Sequence, residues 1–109
     1  MVVARHGNCK AWVYLYKVKV NSETKFLKLG STEDINRRKN HMQKYEFGVG
    51  EWILVAKVLV KHWRHKEKIL HRKCGFGMME VKKKNGNIST ECYEPDMKKF
   101  IKDLIKKLK

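Results

Sequence analysis

Residues 11–32, AWVYLYKVKVNSETKFLKLGST, decide how this chain folds. The opening run is aromatic and β-branched and finishes on a strict alternation, Val18 and Val20 against Lys17 and Lys19. That is the period of a strand with one buried face. Asn21, Ser22 and Glu23 supply turn chemistry, and residues 24–29 return as a second strand, so the segment predicts a hairpin. Gly30 should break that second strand. Ser31 or Thr32 then caps a helix whose first turn carries Glu33 and Asp34, where negative charge suits the helix dipole.

The helix should run to about residue 44 and give way to a loop at Gly48 and Gly50. Residues 52–60, WILVAKVLV, are nearly all apolar, the pattern of a strand covered on both faces. Residues 62–74 read as a second helix ended by Gly75 and Gly77. Within 79–93, the run Lys84-Asn85-Gly86-Asn87 predicts a short second hairpin. From Asp96 onward Met97, Phe100, Ile101, Leu104, Ile105 and Leu108 keep helical spacing, with Pro95 suited to the first turn and lysines opposite. The order ββαβα plus a C-terminal helix predicts an α+β domain with a small, mostly antiparallel, three-stranded sheet flanked by helices. Residues 1–10 lack periodicity and read as a flexible tail, which leaves 11–109 as a single domain.

With 109 residues and 42% apolar content the chain supports one core. Its 26 Lys and Arg against 11 Asp and Glu give a formal net charge of +15, and a polyanion relieves that self-repulsion. Nucleic acid is the expected partner, DNA first. No apolar run is long enough for a signal peptide or a membrane span, so a bilayer is not the expected anion. Cys9, Cys74 and Cys92 are odd in number and fit no disulfide framework. The expected location is therefore intracellular, in cytoplasm or nucleus, or packaged in a virion.

Trp63, Leu70 and Cys74 fall on one stripe of the second predicted helix, and Glu67 lies within it. A carboxylate on an inward stripe is costly unless it is paired or binds a cation. Two readings stay open: an ion pair with Arg64 or His71, or a ligand for Mg²⁺, which takes one or two carboxylates and completes its shell with water and phosphate. On the first helix Arg38 and His41 are three apart and share a face. They are either part of a solvated basic surface or a pair that holds a phosphate and moves a proton. Tyr14 and Tyr16 share one face of the first strand, where aromatics ordinarily pack. His6 and Cys9, with His71 and Cys74, would make a His₂Cys₂ zinc set, although without paired-cysteine spacing. Arg37, Lys39, Arg64, His71, Arg72, Lys98, Lys102 and Lys106 are candidate nucleic-acid contacts.

Trp12-Val13-Tyr14, then Lys28-Leu29-Gly30, then Arg38 eight residues after that glycine, then Glu67 on a later helix, resemble the motifs of the GIY-YIG nuclease superfamily. The phage and large-virus branch is the nearest in pattern. There the second motif often begins with lysine, the acidic helix reads like Glu67-Lys68-Ile69-Leu70-His71, and an acidic–aromatic element such as Glu91-Cys92-Tyr93 closes the domain. The resemblance spans about residues 11–93. It implies that Tyr14 activates the attacking water together with the second-motif residue, that Arg38 clamps the phosphate, and that Glu67 holds a single Mg²⁺ or Mn²⁺. Trp12 replaces the first glycine of the motif, and His41 falls one position earlier than the family residue four after the arginine. Lys28 stands where most members have a second tyrosine, and an amine can serve as a base if desolvation lowers its pKa.

The implied activity is hydrolysis of a DNA phosphodiester, with Tyr14, Lys28, Arg38 and Glu67 converging on one concave patch. The rival reading is a non-catalytic basic protein on the same scaffold that coats or packages nucleic acid. A bare catalytic domain lacks a separate sequence-reading module, so specificity is low or supplied by a partner protein.

Overall fold

The computed structural model describes residues 10–48 and 50–108. In chain order these form strands β1 (Lys10–Val20) and β2 (Glu23–Thr32), helix α1 (Ile35–His41) continued by a π-helical turn (Met42–Glu46), strand β3 (Glu51–Lys61) and helix α2 (Trp63–Lys73). Short strands β4 (Val81–Lys82), β5 (Ile88–Ser89) and β6 (Cys92–Tyr93) follow, and helix α3 (Lys98–Lys106) closes the chain. The expected tail at 1–10 lies outside the described residues except for Lys10, which opens β1, and so do His6 and Cys9 of the zinc alternative.

The fold is α+β with an antiparallel sheet, but the sheet has four strands, ordered β3-β1-β2-β6, where three were expected. β6 pairs with β2 only at Leu27↔Tyr93 and Lys28↔Cys92, too short a run to leave an alternation in the sequence. The first hairpin closes with Asn21 at φ 55° and Ser22 at φ 66°, the positive values that a two-residue turn requires. The second hairpin forms as β4 against β5, with Gly86 at φ 91° in its turn.

The alternation in β1 sorts two cores onto the two faces of the sheet. Val13 and Leu15 join Leu27, Leu29, Val58 and Val60 beneath Leu70 of α2, Cys74 just after it, and Ile101 and Ile105 of α3. Tyr14, Tyr16 and Val18 join Phe26 and Trp52 beneath Met42 and Phe47. The Trp52 ring lies 5.8 Å from Tyr16, 6.1 Å from Phe26 and 5.5 Å from Phe47, so aromatic edges fill this second core.

Four local expectations are corrected. Gly30 does not end β2, which continues to Thr32; a Cβ there would sit 2.5 Å from the Tyr14 hydroxyl, so the glycine makes room for a cross-strand phenol. The cap of α1 is Asp34, whose carboxylate accepts from the Arg37 N–H at 3.1 Å, because Ser31 and Thr32 are still in the strand. β3 is an edge strand with Leu54 36% and Leu59 42% exposed, not a strand covered on both faces. Phe100 is not in the core of α3; it is exposed and meets the Phe76 ring edge-on at 5.2 Å.

Replacing Gly30→Ala should lower unfolding stability by about 1–3 kcal/mol, the cost of forcing a methyl group into a filled buried site. Chemical denaturation checks it: an unchanged midpoint would mean that Tyr14 does not fill that space.

Candidate active site

Gly30 makes room for two of the candidate side chains. On its bare face stand the Tyr14 hydroxyl and the Lys28 ammonium, which would lie 2.5 and 3.2 Å from a Cβ. β1–β2 register puts them there: Tyr14 pairs with Gly30 and Tyr16 with Lys28, so both side chains leave the same face. The Lys28 Nζ is 5.9 Å from the Tyr14 ring centroid and donates to Glu91 Oε1 at 2.6 Å. Burial alone would lower the Lys28 pKa, but the Tyr14 and Glu91 oxygens outweigh it, and the pKa lies above its ordinary value. Lys28 is therefore a cation, which corrects the idea that desolvation frees it to act as a base.

The Arg38 and His41 side chains meet through an acid that the sequence did not single out. Arg38 Nη1 donates to Glu46 Oε2 at 2.6 Å, and His41 Nδ1 lies 3.0 Å from the same oxygen and 3.5 Å from Arg38 Nη1. The π-turn makes this possible. Its Phe47 N–H bonds to Met42 O at 2.9 Å, five residues back, and that wider spacing brings Glu46 under His41. In an α-helix residues five apart point away from each other. Burial pushes the Arg38 pKa down, but Tyr14 and then Glu46 hold it above its ordinary value, so Tyr14 and Arg38 are neighbours.

Glu67 is paired on all sides. Ser31 Oγ donates to Oε1, and His71 Nε2 lies 3.0 Å from Oε2. Burial works to raise the Glu67 pKa, yet the hydrogen bonds from His71 and Ser31 and the charge of Lys28 leave it below its ordinary value, as a carboxylate. The other His71 nitrogen, Nδ1, is 2.6 Å from the Tyr93 hydroxyl. Burial holds that hydroxyl protonated, so it can donate to Nδ1 and leave Nε2–H for Glu67. Glu91 completes the group, with Oε2 4.0 Å from His71 Nε2. Ligand atoms of Glu67, His71 and Glu91 all lie within 4.8 Å of one another. Two carboxylate oxygens and an imidazole suit a hard divalent cation, Mg²⁺ or Mn²⁺, with His71 favouring the latter.

These residues do not share one face. Tyr14, Lys28 and Arg38 belong to the face beneath Met42, whereas Glu67 and His71 stand on α2, which packs on the other. The two groups meet around the β2 edge, where Glu91 reaches Lys28 with one oxygen and approaches His71 with the other. The expected single concave patch does not form: the residues divide between the two faces and meet only through Glu91 at the β2 edge. Tyr14 and Lys28 are 1% and 2% exposed, so the accessible ones are Arg38, His41, Glu67, His71 and Glu91.

Of the remaining basic residues, Arg37 lies beside Arg38 in a cleft along α1, and Lys39 is half-buried on the same helix. Arg64 lines a second cleft, of about 430 Å³, with Glu67, Lys68, His71, Thr90 and Glu91. Arg72 is exposed near the end of α2. Lys98, Lys102 and Lys106 stand on α3, which packs over β3 and β1, away from the β2 edge. Glu46, Ser31, Glu91 and Tyr93 were missed as site residues; Glu91 and Tyr93 had a signal in the closing acidic–aromatic element, and Glu46 had none.

Burial alone would raise the Glu46 pKa, but Arg38 first and His41 after it hold the carboxyl below its ordinary 4.5. A depressed folded-state pKa stabilises fully above pH 4.5, and that contribution is lost as pH falls through the folded value. Glu46→Gln should therefore cost about 1 kcal/mol at neutral pH, the scale of a partly exposed pair. The difference from the native chain should shrink below pH 4.5. Denaturant unfolding across that range checks it, and a gap that does not change with pH would sever Glu46 from Arg38.

No helix of the described residues is long and apolar enough to cross a membrane. No curated protein and no solved structure matches the chain. The family model for the T5orf172 domain matches residues 11–109. The chain therefore belongs to the T5orf172 domain family, a phage-associated domain of the GIY-YIG/HNH-like endonuclease clade.

Proposed function

We propose that this chain is a metal-dependent DNA endonuclease of the GIY-YIG type. Membership of the T5orf172 family is consistent with nuclease or DNA-binding activity. The observation that carries the finer reading is the β2 edge, where three possible metal-ligand side chains lie within 4.8 Å of one another beside the buried Lys28 cation. Glu67 is the principal ligand, with Glu91 and His71 beside it. These residues would hold a divalent ion, which would supply charge at a phosphate oxygen and lower the pKa of a bound water. Arg38, forked and permanently charged, grips the phosphate; His41 shares its anion and is placed to move a proton. Lys28 stays an ammonium and lends positive charge at the Tyr14 hydroxyl, the group aligned with water activation.

The near-complete burial of Tyr14 and Lys28, and the carboxylates already on Lys28 and Arg38, are what favour the second reading. In it the same scaffold binds DNA without cutting it. Nicking of supercoiled plasmid separates the two. Cleavage with Mg²⁺ or Mn²⁺ and none with EDTA is expected of the enzyme. Glu67→Gln should cut at least about 100-fold more slowly while DNA affinity holds or improves, since a negative charge is removed near phosphate. A Glu67→Gln chain that cuts normally would leave the carboxylate as an ion-pair partner alone.

The lysines of α3 belong to attraction and not to chemistry in this reading. Replacing Lys98, Lys102 and Lys106 by Gln should lower the slope of log affinity against log salt by about 0.9 for each phosphate that the helix no longer neutralises. The rate at saturating DNA should stay as it is. An unaltered slope assigns this face to solvent.

A further inference from the structure

The cleft along α1 has a volume of about 750 Å³ and is only partly used by the reading above. Arg37, Arg38, Asn40, His41, Lys44 and Tyr45 line it, and so do Glu33 and Asp34 just before α1. Tyr45 is 62% exposed, an unusual place for a large ring to be left in a protein that buries Tyr14, Tyr16 and Tyr93. The ring is also positioned. The His41 ring lies 5.4 Å away, tilted by 51°, and Lys44 Nζ sits 5.6 Å from its centroid. Glu46 fixes His41 from below through the 3.0 Å contact, so the π-turn that locks Arg38 also props the Tyr45 ring into the cleft.

We infer that this cleft is a subsite for an unpaired nucleobase of DNA, with the Tyr45 ring as its stacking surface. The inference rests on the proposed nuclease reading for the identity of the polyanion. A flat ring flanked by cations suits a nucleotide: the ring meets the π-face of any base, and the charges meet the phosphates on either side. Arg37, Arg38 and Lys44 supply those charges, and the Asn40 amide has both donors and an acceptor for a base edge. A base inside a duplex keeps both faces stacked on its neighbours and must be extruded from the stack before it can lie on Tyr45. The substrate class is therefore DNA whose bases are already unpaired next to the phosphate held by Arg38, in preference to uninterrupted duplex.

The test is fluorescence anisotropy with the full chain in EDTA, using a labelled single-stranded DNA oligomer and the same length of abasic strand. The two probes carry the same phosphates and differ in their bases. The native chain should bind the base-bearing strand about 5- to 100-fold more tightly than the abasic one, the range expected for stacking of one base. Tyr45→Ala should erase that preference and leave abasic binding unchanged, and Tyr45→Phe should keep it. A Tyr45→Ala chain that retains the preference, or that weakens both probes equally, overturns the subsite. Plasmid nicking by the native chain alongside that result would leave the nuclease reading standing. Failure of the native chain to bind either strand would instead remove the nucleic-acid reading, and the subsite with it.

Discussion

Lys28 puts an ammonium group, 2% exposed, inside the protein, and the organisation of the β2 edge follows from the need to pair it. An isolated buried charge costs several kcal/mol, so the cation must find an anion or lose its proton. It finds Glu91 at 2.6 Å. That contact holds the segment before β6 against β2, where the Leu29 N–H donates to Glu91 O at 3.1 Å. Glu91 then has a second oxygen left over, and geometry directs it to His71 and Glu67. A packing requirement on one face of the sheet thereby delivers a carboxylate oxygen to the other. Gly30 is the complementary constraint: with no side chain there, the Tyr14 hydroxyl and Lys28 Nζ share the space that a Cβ would take.

Most of the fold could be read from the chain because its elements are long enough to show a period. The hairpin from β1 to β2, the stripe of Leu70 and Cys74 at the end of α2, and Met97, Ile101 and Ile105 near the C-terminus all announced a buried face. What could not be read has short-range or competing causes. β6 is two residues long and has no alternation to detect. The apolar run of β3 suggested burial on both faces, but Leu54 and Leu59 lie at a sheet edge that little covers, since apolar composition says a strand is favourable without saying where it sits. Ser31 looked like a helix cap and is instead a strand residue that donates to Glu67.

The site was legible in its parts and not in its arrangement. Tyr14, Lys28, Arg38 and Glu67 stood at recognisable spacings, but spacing along a sequence does not reveal which face of a sheet a helix will cover. Glu67 is held by His71, one of the two local partners that its position on the helix allowed. That pairing does not decide between structure and chemistry, because a ligand at rest needs a partner as much as a structural acid does. Glu46 could not be anticipated, since only a π-turn brings a residue five positions on beneath His41. The same turn sends Tyr45 outward, so one backbone irregularity governs both the arginine and the exposed ring.

The distribution of charge separates attraction from chemistry. The chain carries +15, yet Lys28 and Arg38, the cations nearest the Tyr14 hydroxyl, are each closed by a carboxylate at 2.6 Å. Their fields are largely cancelled at long range. Long-range attraction for a polyanion therefore falls to exposed groups such as Lys98, Lys106 and Arg72, which act through screened potentials and fade with salt. At the β2 edge the opposite regime holds: Lys28 is buried, its neighbours are partly so, and the pairings are short. A phosphate reaching that edge has to compete with Glu46 for Arg38, and with Glu91 for Lys28. Such competition would keep the inner cations from engaging every phosphate that a basic surface attracts. They remain for one whose neighbouring groups also fit, which is a selectivity that net charge alone cannot provide.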